Sequence, residues 1–184
     1  KKDLNFHHKI FYIGSLEWIP NQEGIIWFID KCWEKLKQEF PDLELHIAGR
    51  NTPKWLISGY TKPGITWAGE VEQIQDFIKD KTIMIVPLFS GSGMRVKIVE
   101  AFFSYKAVVA SAIAVQGTGG EDNCELLIAD GHIEFISKIG NLIRNKKLYQ
   151  RLVEDAYKFA CINFDNSQIS KELNDLYSYK AHSK

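Results

Sequence analysis

Short apolar runs recur along the chain, and most of them end beside a glycine or proline. The first run is Ile10-Phe11-Tyr12-Ile13, which leads directly into Gly14. Runs of this length and composition are typical of strands buried on both faces of a parallel sheet. The pattern predicts strands at 10–13, 43–48, 65–68, 82–87, 107–110 and 126–129.

Apolar residues at helical spacing lie between these runs. After Pro20-Asn21, a start signal for a helix, apolar side chains recur from Ile25 to Leu36 at intervals of three and four residues. Strands that alternate with helices indicate βαβ units. The fold class predicted is therefore α/β, with a six-stranded parallel sheet covered by helices on both faces. Further helices are predicted at about 54–58, 71–78, 94–104, 133–145, 147–162 and 167–178.

Length, charge and cysteine content limit the classes of protein to which the chain can belong. The chain of 184 residues favours one domain, and its 23 basic and 23 acidic side chains give a formal net charge of zero. This balance argues against a nucleic-acid surface but leaves room for a local basic pocket that binds a small anion. Three widely spaced cysteines and the lack of a signal-peptide pattern favour a reducing compartment, and we predict a cytoplasmic location. The abrupt, charged start is what a fragment of a longer protein would show.

One segment, Ser90 to Glu100, combines glycines with cations at a predicted strand-to-helix turn. Gly91 and Gly93 allow a ligand to approach the backbone, and a helix start attracts phosphate. Arg95 and Lys97 oppose the helix dipole there unless an anion binds. The segment predicts a phosphate site, although it matches neither a P-loop nor the dinucleotide G-x-G-x-x-G pattern.

Glu100 admits two interpretations. It is embedded in the apolar run 98–103, where a buried carboxylate needs donors such as the two hydroxyls of a ribose. Alternatively, Lys97, Glu100 and Ser104 form one solvated helical stripe, with Lys97 pairing with Glu100. The residues alone do not separate the two.

Several motifs in this chain, taken in order, resemble the C-terminal domain of the GT-B glycosyltransferases near family 4, the retaining group 1 transferases. The resemblance implies a Rossmann-like three-layer domain that is one half of a GT-B fold. It covers nearly the whole chain and lies in Phe11 to Asn21, Leu45 to Arg50, Ile65 to Val71, Val86 to Glu100, Lys106 to Ala110 and Gly120 to Ala129.

The resemblance implies a role for each candidate residue. Glu100 binds the ribose hydroxyls, and Gly14 and Ser15 close over the diphosphate. The backbone at Val71 flanks the base, and Arg50 either reaches the same cleft or forms a surface salt bridge. The groups that face the diphosphate and sugar are Gly91, Ser92, Gly93, Met94, Arg95 and Lys97, of which Arg95 and Lys97 stabilise the leaving group.

By the same resemblance, residues 1–164 form the nucleotide-sugar-binding domain and 165–184 a helix that crosses to an N-terminal acceptor domain. That missing half holds most catalytic residues, so the fragment alone should be inactive. The reaction implied is hexosyl transfer from a nucleotide-diphosphate sugar in polysaccharide biosynthesis, with no cofactor. No D-x-D motif is present, so no metal is expected. Peripheral membrane association of the full-length enzyme is a further expectation.

Two departures from the family pattern keep an alternative open. Ser92 stands where many members carry a glutamate that contacts the donor sugar. The loop after the first strand carries Glu17, Trp18 and Asn21 instead of the usual Arg and Lys. A non-catalytic nucleotide-binding or regulatory module on the same fold is the alternative. A response-regulator-like interaction domain is disfavoured, because the strand-end loops carry glycine and cations instead of an acidic pocket.

Overall fold

The computed structural model describes residues 6–91 and 93–164. Within them, six parallel strands form a single sheet with the order β3-β2-β1-β4-β5-β6. This is the strand order of the doubly wound Rossmann fold. The predicted α/β, Rossmann-like fold class is thus confirmed. The strands are β1 Lys9–Ile13, β2 Glu44–Ala48, β3 Ile65–Gly69, β4 Ile83–Val86, β5 Ala107–Ala110 and β6 Leu127–Ile128.

Helices connect successive strands, with some bounds that differ from the prediction. A π-helical segment, Ile29–Trp33, interrupts the first long helix. The helix predicted at 71–78 begins only at Ile74, and the helix predicted from 94 begins at Val96. The predicted helix at 167–178 and the segment 165–184 lie outside the described residues. The helices are α1 Ile19–Phe28, α2 Glu34–Glu39, α3 Lys54–Gly59, α4 Ile74–Ile78, α5 Val96–Phe103, α6 Ala112–Val115, α7 His132–Arg144 and α8 Lys146–Asn163.

The sheet divides the core into two layers. Alternate residues of β1 point to opposite faces, so Ile10 and Tyr12 join one cluster and Phe11 joins the other. The first cluster lies under α1, α2 and α7, and the second under α4 and α5, while α8 contributes to both. Of the helices described, none is both long and apolar enough to cross a membrane.

The crevice for a ligand is set by the point where strand order reverses. β1 and β4 are neighbours, paired at Ile10–Ile83 and Phe11–Met84, and their connections leave toward opposite faces of the sheet. The loops after β1 and β4 therefore border one crevice at the carboxyl ends of the strands. Gly24 of α1 fixes one wall, since a Cβ there would lie 1.7 Å from the Pro87 carbonyl oxygen. Only glycine allows α1 to pack this closely on the loop after β4.

Candidate functional site

The turn between β4 and α5 carries two cations at the crevice. Arg95 immediately precedes α5, and its Nη1 donates a hydrogen bond to the Gly93 carbonyl oxygen at 2.8 Å. Its guanidinium lies 5.5 Å from the centre of the Trp18 ring, which belongs to the loop after β1. Gly91 and Gly93 have positive φ angles of 115° and 84°, conformations that side-chain-bearing residues rarely adopt. The glycines therefore permit the sharp turn that brings Arg95 across the crevice to Trp18.

Lys97 lies in the first turn of α5 and reaches back over the end of β1. Its Nζ donates to the Ile13 carbonyl oxygen at 3.2 Å and lies 4.6 Å from the centre of the Tyr12 ring. Burial, and then the positive charge of Arg95, lower the pKa of Lys97 to about 7. In the described part of the chain, no carboxylate forms an ion pair with Lys97. The site thus holds an enclosed amino group whose charge is not neutralised by the protein.

Three polar atoms converge on Gly14, directly after β1. A Cβ at Gly14 would lie 2.9 Å from the Tyr12 hydroxyl, 3.2 Å from Lys97 Nζ and 3.4 Å from Asn21 Nδ2. The Asn21 amide donates to the Ser15 carbonyl oxygen at 2.8 Å, which ties the loop after β1 to the start of α1. Sequence reasoning missed Tyr12 and Asn21 as parts of this site. The available signal was a tyrosine in an otherwise apolar strand, two positions before a glycine.

A pocket of about 210 Å³ adjoins Gly14 on the side of β2 and β3. It contains four of the predicted residues, Gly14, Ser15, Arg50 and Val71. Arg50 Nε also lies 3.9 Å from Glu70 Oε1, and both side chains are mostly exposed. Both roles considered for Arg50 are therefore compatible with its position. The complete lining is Ile13, Gly14, Ser15, Gly49, Arg50, Glu70, Val71 and Ile74.

Glu100 is exposed on α5, so the expectation that its apolar neighbours bury it is wrong. The helix turns Ile98 and Phe102 into the core and leaves Glu100 on the opposite side. Of the alternative, a solvated stripe in which Lys97 pairs with Glu100, the exposure of Glu100 is found, but the ion pair is not, because Lys97 contacts β1 instead. Within residues 6–91 and 93–164, no side-chain hydrogen bond or ion pair involves the Glu100 carboxylate. It is therefore available to a ligand's hydroxyl groups.

The predicted residues fall into two groups that share Gly14. The first surrounds the β4–α5 turn and contains Gly91, Gly93, Arg95 and Lys97; the second lines the pocket. Met94 is exposed, and its backbone lies against Gly117, whose Cβ would be 3.4 Å from Met94 Cα. Ser92 lies outside the described residues. A search of the described residues finds no cluster of three His, Cys, Asp or Glu side chains that could hold a metal ion.

Comparison with known proteins identifies a matching family and a sequence relative. The model of the family "Glycosyl transferases group 1" matches residues 7–145. A protein of Klebsiella pneumoniae, described as an uncharacterized 44.6 kDa protein in the cps region, is 27% identical over 172 residues. The alignment covers 89% of this chain but only 44% of that protein. The chain thus spans less than half the length of this relative.

Solved structures resemble most of this chain in fold. The C-terminal domain of LpcC, a group 1 family glycosyl transferase of Francisella tularensis, is 17% identical with a TM-score of 0.67, and 86% of each chain is covered. HepE of Anabaena, in complex with UDP-glucose, is 16% identical with a TM-score of 0.74; 94% of this chain and 49% of HepE are covered. A variant of S. aureus TarM in a complex that contains UDP is 20% identical, with a TM-score of 0.74 and coverage of 92% and 36%. At these identities the likeness establishes the fold.

Proposed function

The chain belongs to the glycosyl transferases group 1 family, and from this premise we propose that it is the donor-binding domain of a glycosyltransferase. The donor is a nucleotide-diphosphate sugar bound between the ends of β1 and β4. The bond from the anomeric carbon to the diphosphate oxygen breaks, and its electron pair stays on the diphosphate. A new bond forms between the same carbon and an acceptor oxygen, which loses its proton. We further propose a hexosyl donor, retention of configuration and no metal ion.

The observation that carries this proposal is the enclosed, unneutralised Lys97 beside Arg95. A cation without a carboxylate partner costs stability in the ligand-free protein, and a bound anion would offset that cost. A diphosphate supplies the missing negative charge and is held most strongly when it leaves the sugar with its full charge. Lys97 and Arg95 therefore stabilise the leaving group, which is the electrostatic contribution that usually dominates catalysis.

The remaining contacts follow from the positions of the other residues. Glu100, which has no partner among the described residues, binds the ribose hydroxyls. The pocket beside Val71 and Arg50 takes the base, while Gly14 and Ser15 cover the diphosphate. HepE and TarM were crystallised with UDP-glucose and UDP, which favours uridine as the base. The acceptor binds to an N-terminal domain, which also supplies the group that takes the acceptor's proton. The relative in the cps region supports a role in polysaccharide biosynthesis.

Isothermal titration of the purified chain tests this assignment. We expect UDP and UDP-glucose to bind, and uridine to bind at least about tenfold more weakly because it lacks the diphosphate. ADP and GDP serve as controls for the base. Loss of the preference for diphosphate over nucleoside with every base tested would contradict the proposal.

A further inference from the structure

The aromatic ring of Tyr12 lies under the amino group of Lys97. The ring centre is 4.6 Å from Nζ, within the range of a cation–π contact. Tyr12 is in β1, Lys97 is in α5, and the two are 85 positions apart in sequence. The backbone carbonyl of Ile13, the residue after Tyr12, accepts a hydrogen bond from the same Nζ. Two consecutive residues of β1 thus hold one amino group, the first by its ring and the second by its carbonyl.

We propose that Tyr12 is a positioning residue, whose ring face fixes the Lys97 ammonium at the end of β1 where it meets the diphosphate of the donor. The proposal rests on the proposed function of the site. It adds a residue of the central strand, buried to 2% exposure and unable to reach solvent, to the machinery that binds the donor.

The ring is the part of Tyr12 that acts on Lys97. Its hydroxyl is buried and has no hydrogen-bond partner among the described residues. A buried hydroxyl without a partner contributes nothing favourable to folding, so its removal should not destabilise the protein. The hydroxyl does explain why residue 14 is glycine, since a Cβ there would lie 2.9 Å from it and 3.2 Å from Nζ. A side chain at residue 14 would require the Tyr12 hydroxyl end and the Lys97 amino group to shift.

The surroundings of Nζ make the ring contact important. The elements packed around it contribute Tyr12 and Ile13 from β1, Arg95 before α5 and the uncharged amide of Asn21 from α1. Among the described residues, Arg95 is the charged group that faces it and repels the ammonium. Burial and this repulsion bring the pKa of Lys97 to about 7. With no carboxylate to hold the charge in the described residues, the ring face is the electrostatic attraction that keeps the ammonium in place, beside the single carbonyl.

Two substitutions separate the ring from the hydroxyl. Tyr12→Phe keeps the ring and removes the hydroxyl, whereas Tyr12→Leu removes the ring and keeps an apolar side chain. Titration with UDP at pH 6.5, below the pKa of Lys97, should give the wild-type affinity for Tyr12→Phe. Tyr12→Leu should weaken UDP binding by about three- to thirtyfold, the range of a cation–π contact. Wild-type affinity in Tyr12→Leu would overturn the proposal.

A double-mutant cycle with Lys97→Met excludes a purely structural effect. If Tyr12 acts through Lys97, then Tyr12→Leu causes no further loss of UDP affinity once Lys97 is replaced. If Tyr12 only supports the fold, it weakens binding by the same factor in both backgrounds, which would overturn the proposal.

NMR of the chain labelled with ¹³Cε-lysine tests the contact without relying on Tyr12→Leu to fold. The Lys97 resonance, identified by its loss in Lys97→Met, should be shifted upfield by the ring in the wild type and in Tyr12→Phe. An unshifted resonance would overturn the proposal. Inorganic pyrophosphate and several nucleoside diphosphates serve as additional probes. If the wild type binds none of them, the proposed function fails, whereas the ring shift still reports whether Tyr12 holds Lys97.

Discussion

A lysine lies at each end of β1, and the two differ in their partners and in the direction of their pKa shifts. At the first residue of the strand, Lys9 Nζ lies 2.7 Å from Asp80 Oδ2 and 3.9 Å from Glu44 Oε2. The hydrogen bond to Asp80 raises the pKa of Lys9 above its usual value, against the opposing effect of burial. At the last residue, Ile13, the Lys97 amino group contacts a carbonyl and a ring among the described residues, and burial followed by the charge of Arg95 lowers its pKa to about 7. The net effect of the surroundings favours the charged form of Lys9 and disfavours that of Lys97.

This difference separates stability from function along a single strand. The amino ends of the strands carry an internally neutralised charge network, to which Lys81 also contributes through Asp80 at 2.9 Å. A network of ion pairs whose carboxylates are about half exposed adds a little to folding and needs no ligand. At the carboxyl end of β1, the Lys97 amino group has no carboxylate partner in the described residues, an arrangement that becomes favourable when an anion binds. The asymmetry follows the general rule that ligands bind at the carboxyl edge of such sheets.

Replacing each lysine by methionine should show most clearly that Lys97 serves binding and Lys9 serves stability. Lys97→Met should weaken UDP binding by about 2–4 kcal/mol, because the diphosphate loses a partly buried charge partner. The free energy of unfolding should not fall, because the removed cation had no carboxylate partner among the described residues. Lys9→Met should leave UDP binding unchanged and lower the free energy of unfolding by about 0.2–1 kcal/mol. Calorimetric titration and urea unfolding of both variants measure these effects, and equal loss of UDP affinity in the two would contradict the assignment.

The pH dependence of UDP binding should also distinguish Lys97 from Lys9. Bound diphosphate favours the ammonium form of Lys97, so binding raises its pKa from about 7 and takes up a proton at higher pH. The affinity should therefore fall by about tenfold between pH 8 and pH 9. Titration at pH 8.5 in buffers of different ionisation enthalpy measures the proton uptake. Lys9→Met should retain this uptake and Lys97→Met should lose it; uptake that persists in Lys97→Met would assign it to another group.

In the ligand-free protein, the contribution of Lys97 to the free energy of unfolding should depend on pH in the opposite direction to the UDP affinity. The folded pKa of Lys97 lies below its unfolded value of about 10.4, so the folded state binds fewer protons between these limits. The contribution of Lys97 to the free energy of unfolding therefore rises with pH from about 7 to about 10. Urea unfolding of the wild type and Lys97→Met across this range isolates that contribution.

Removing the charge of Glu100 tests the proposed contact with the ribose. Glu100→Gln keeps the shape of the side chain but should weaken binding of both UDP and uridine by about 1.5–3 kcal/mol, because both carry the ribose. The free energy of unfolding should not change, since Glu100 is exposed and has no partner in the described residues. Glu72→Gln, another exposed glutamate, is the control. Wild-type nucleoside affinity in Glu100→Gln would show that this carboxylate only faces solvent.

The sheet was predictable because buried strands leave a strong signal. Each predicted strand is present, with bounds that differ by at most one residue at either end. Helix starts were less predictable. Residues 71–73 have a composition that suits a helix, yet Gly69 has a φ of 69° and Gln73 is extended, so α4 begins at Ile74. The short α6 and the π-helical segment have no periodic pattern long enough to detect in sequence.

The site was predictable only as far as local sequence reaches. The cations and glycines of the β4–α5 turn lie in one continuous segment, so they are recognisable in the sequence. The structure places that turn at the crevice. The direction in which Lys97 points depends on β1, which is distant in sequence, so its neighbours in the sequence suggested the wrong partner, Glu100. Burial of Glu100 was likewise inferred from apolar neighbours, although a helix turns adjacent residues to different sides.

The smallest expected effect concerns the neutralised end of β1. Although partial burial of Asp80 by itself raises the pKa of its carboxyl group, hydrogen bonds from Lys9 and Lys81 lower that pKa below its usual value. A carboxyl group with a lowered folded pKa stabilises the protein above its unfolded pKa of about 4, and this contribution is lost as the pH falls through the folded value. Asp80→Asn should therefore lower the free energy of unfolding by about 0.2–1 kcal/mol at pH 7, with a smaller difference from the wild type below pH 4. Urea unfolding at pH 7 and pH 3 measures this, with Asp42→Asn as an exposed control that has no ion pair among the described residues. UDP affinity should be unchanged in both variants, and a loss in Asp80→Asn alone would show that the two ends of β1 are coupled.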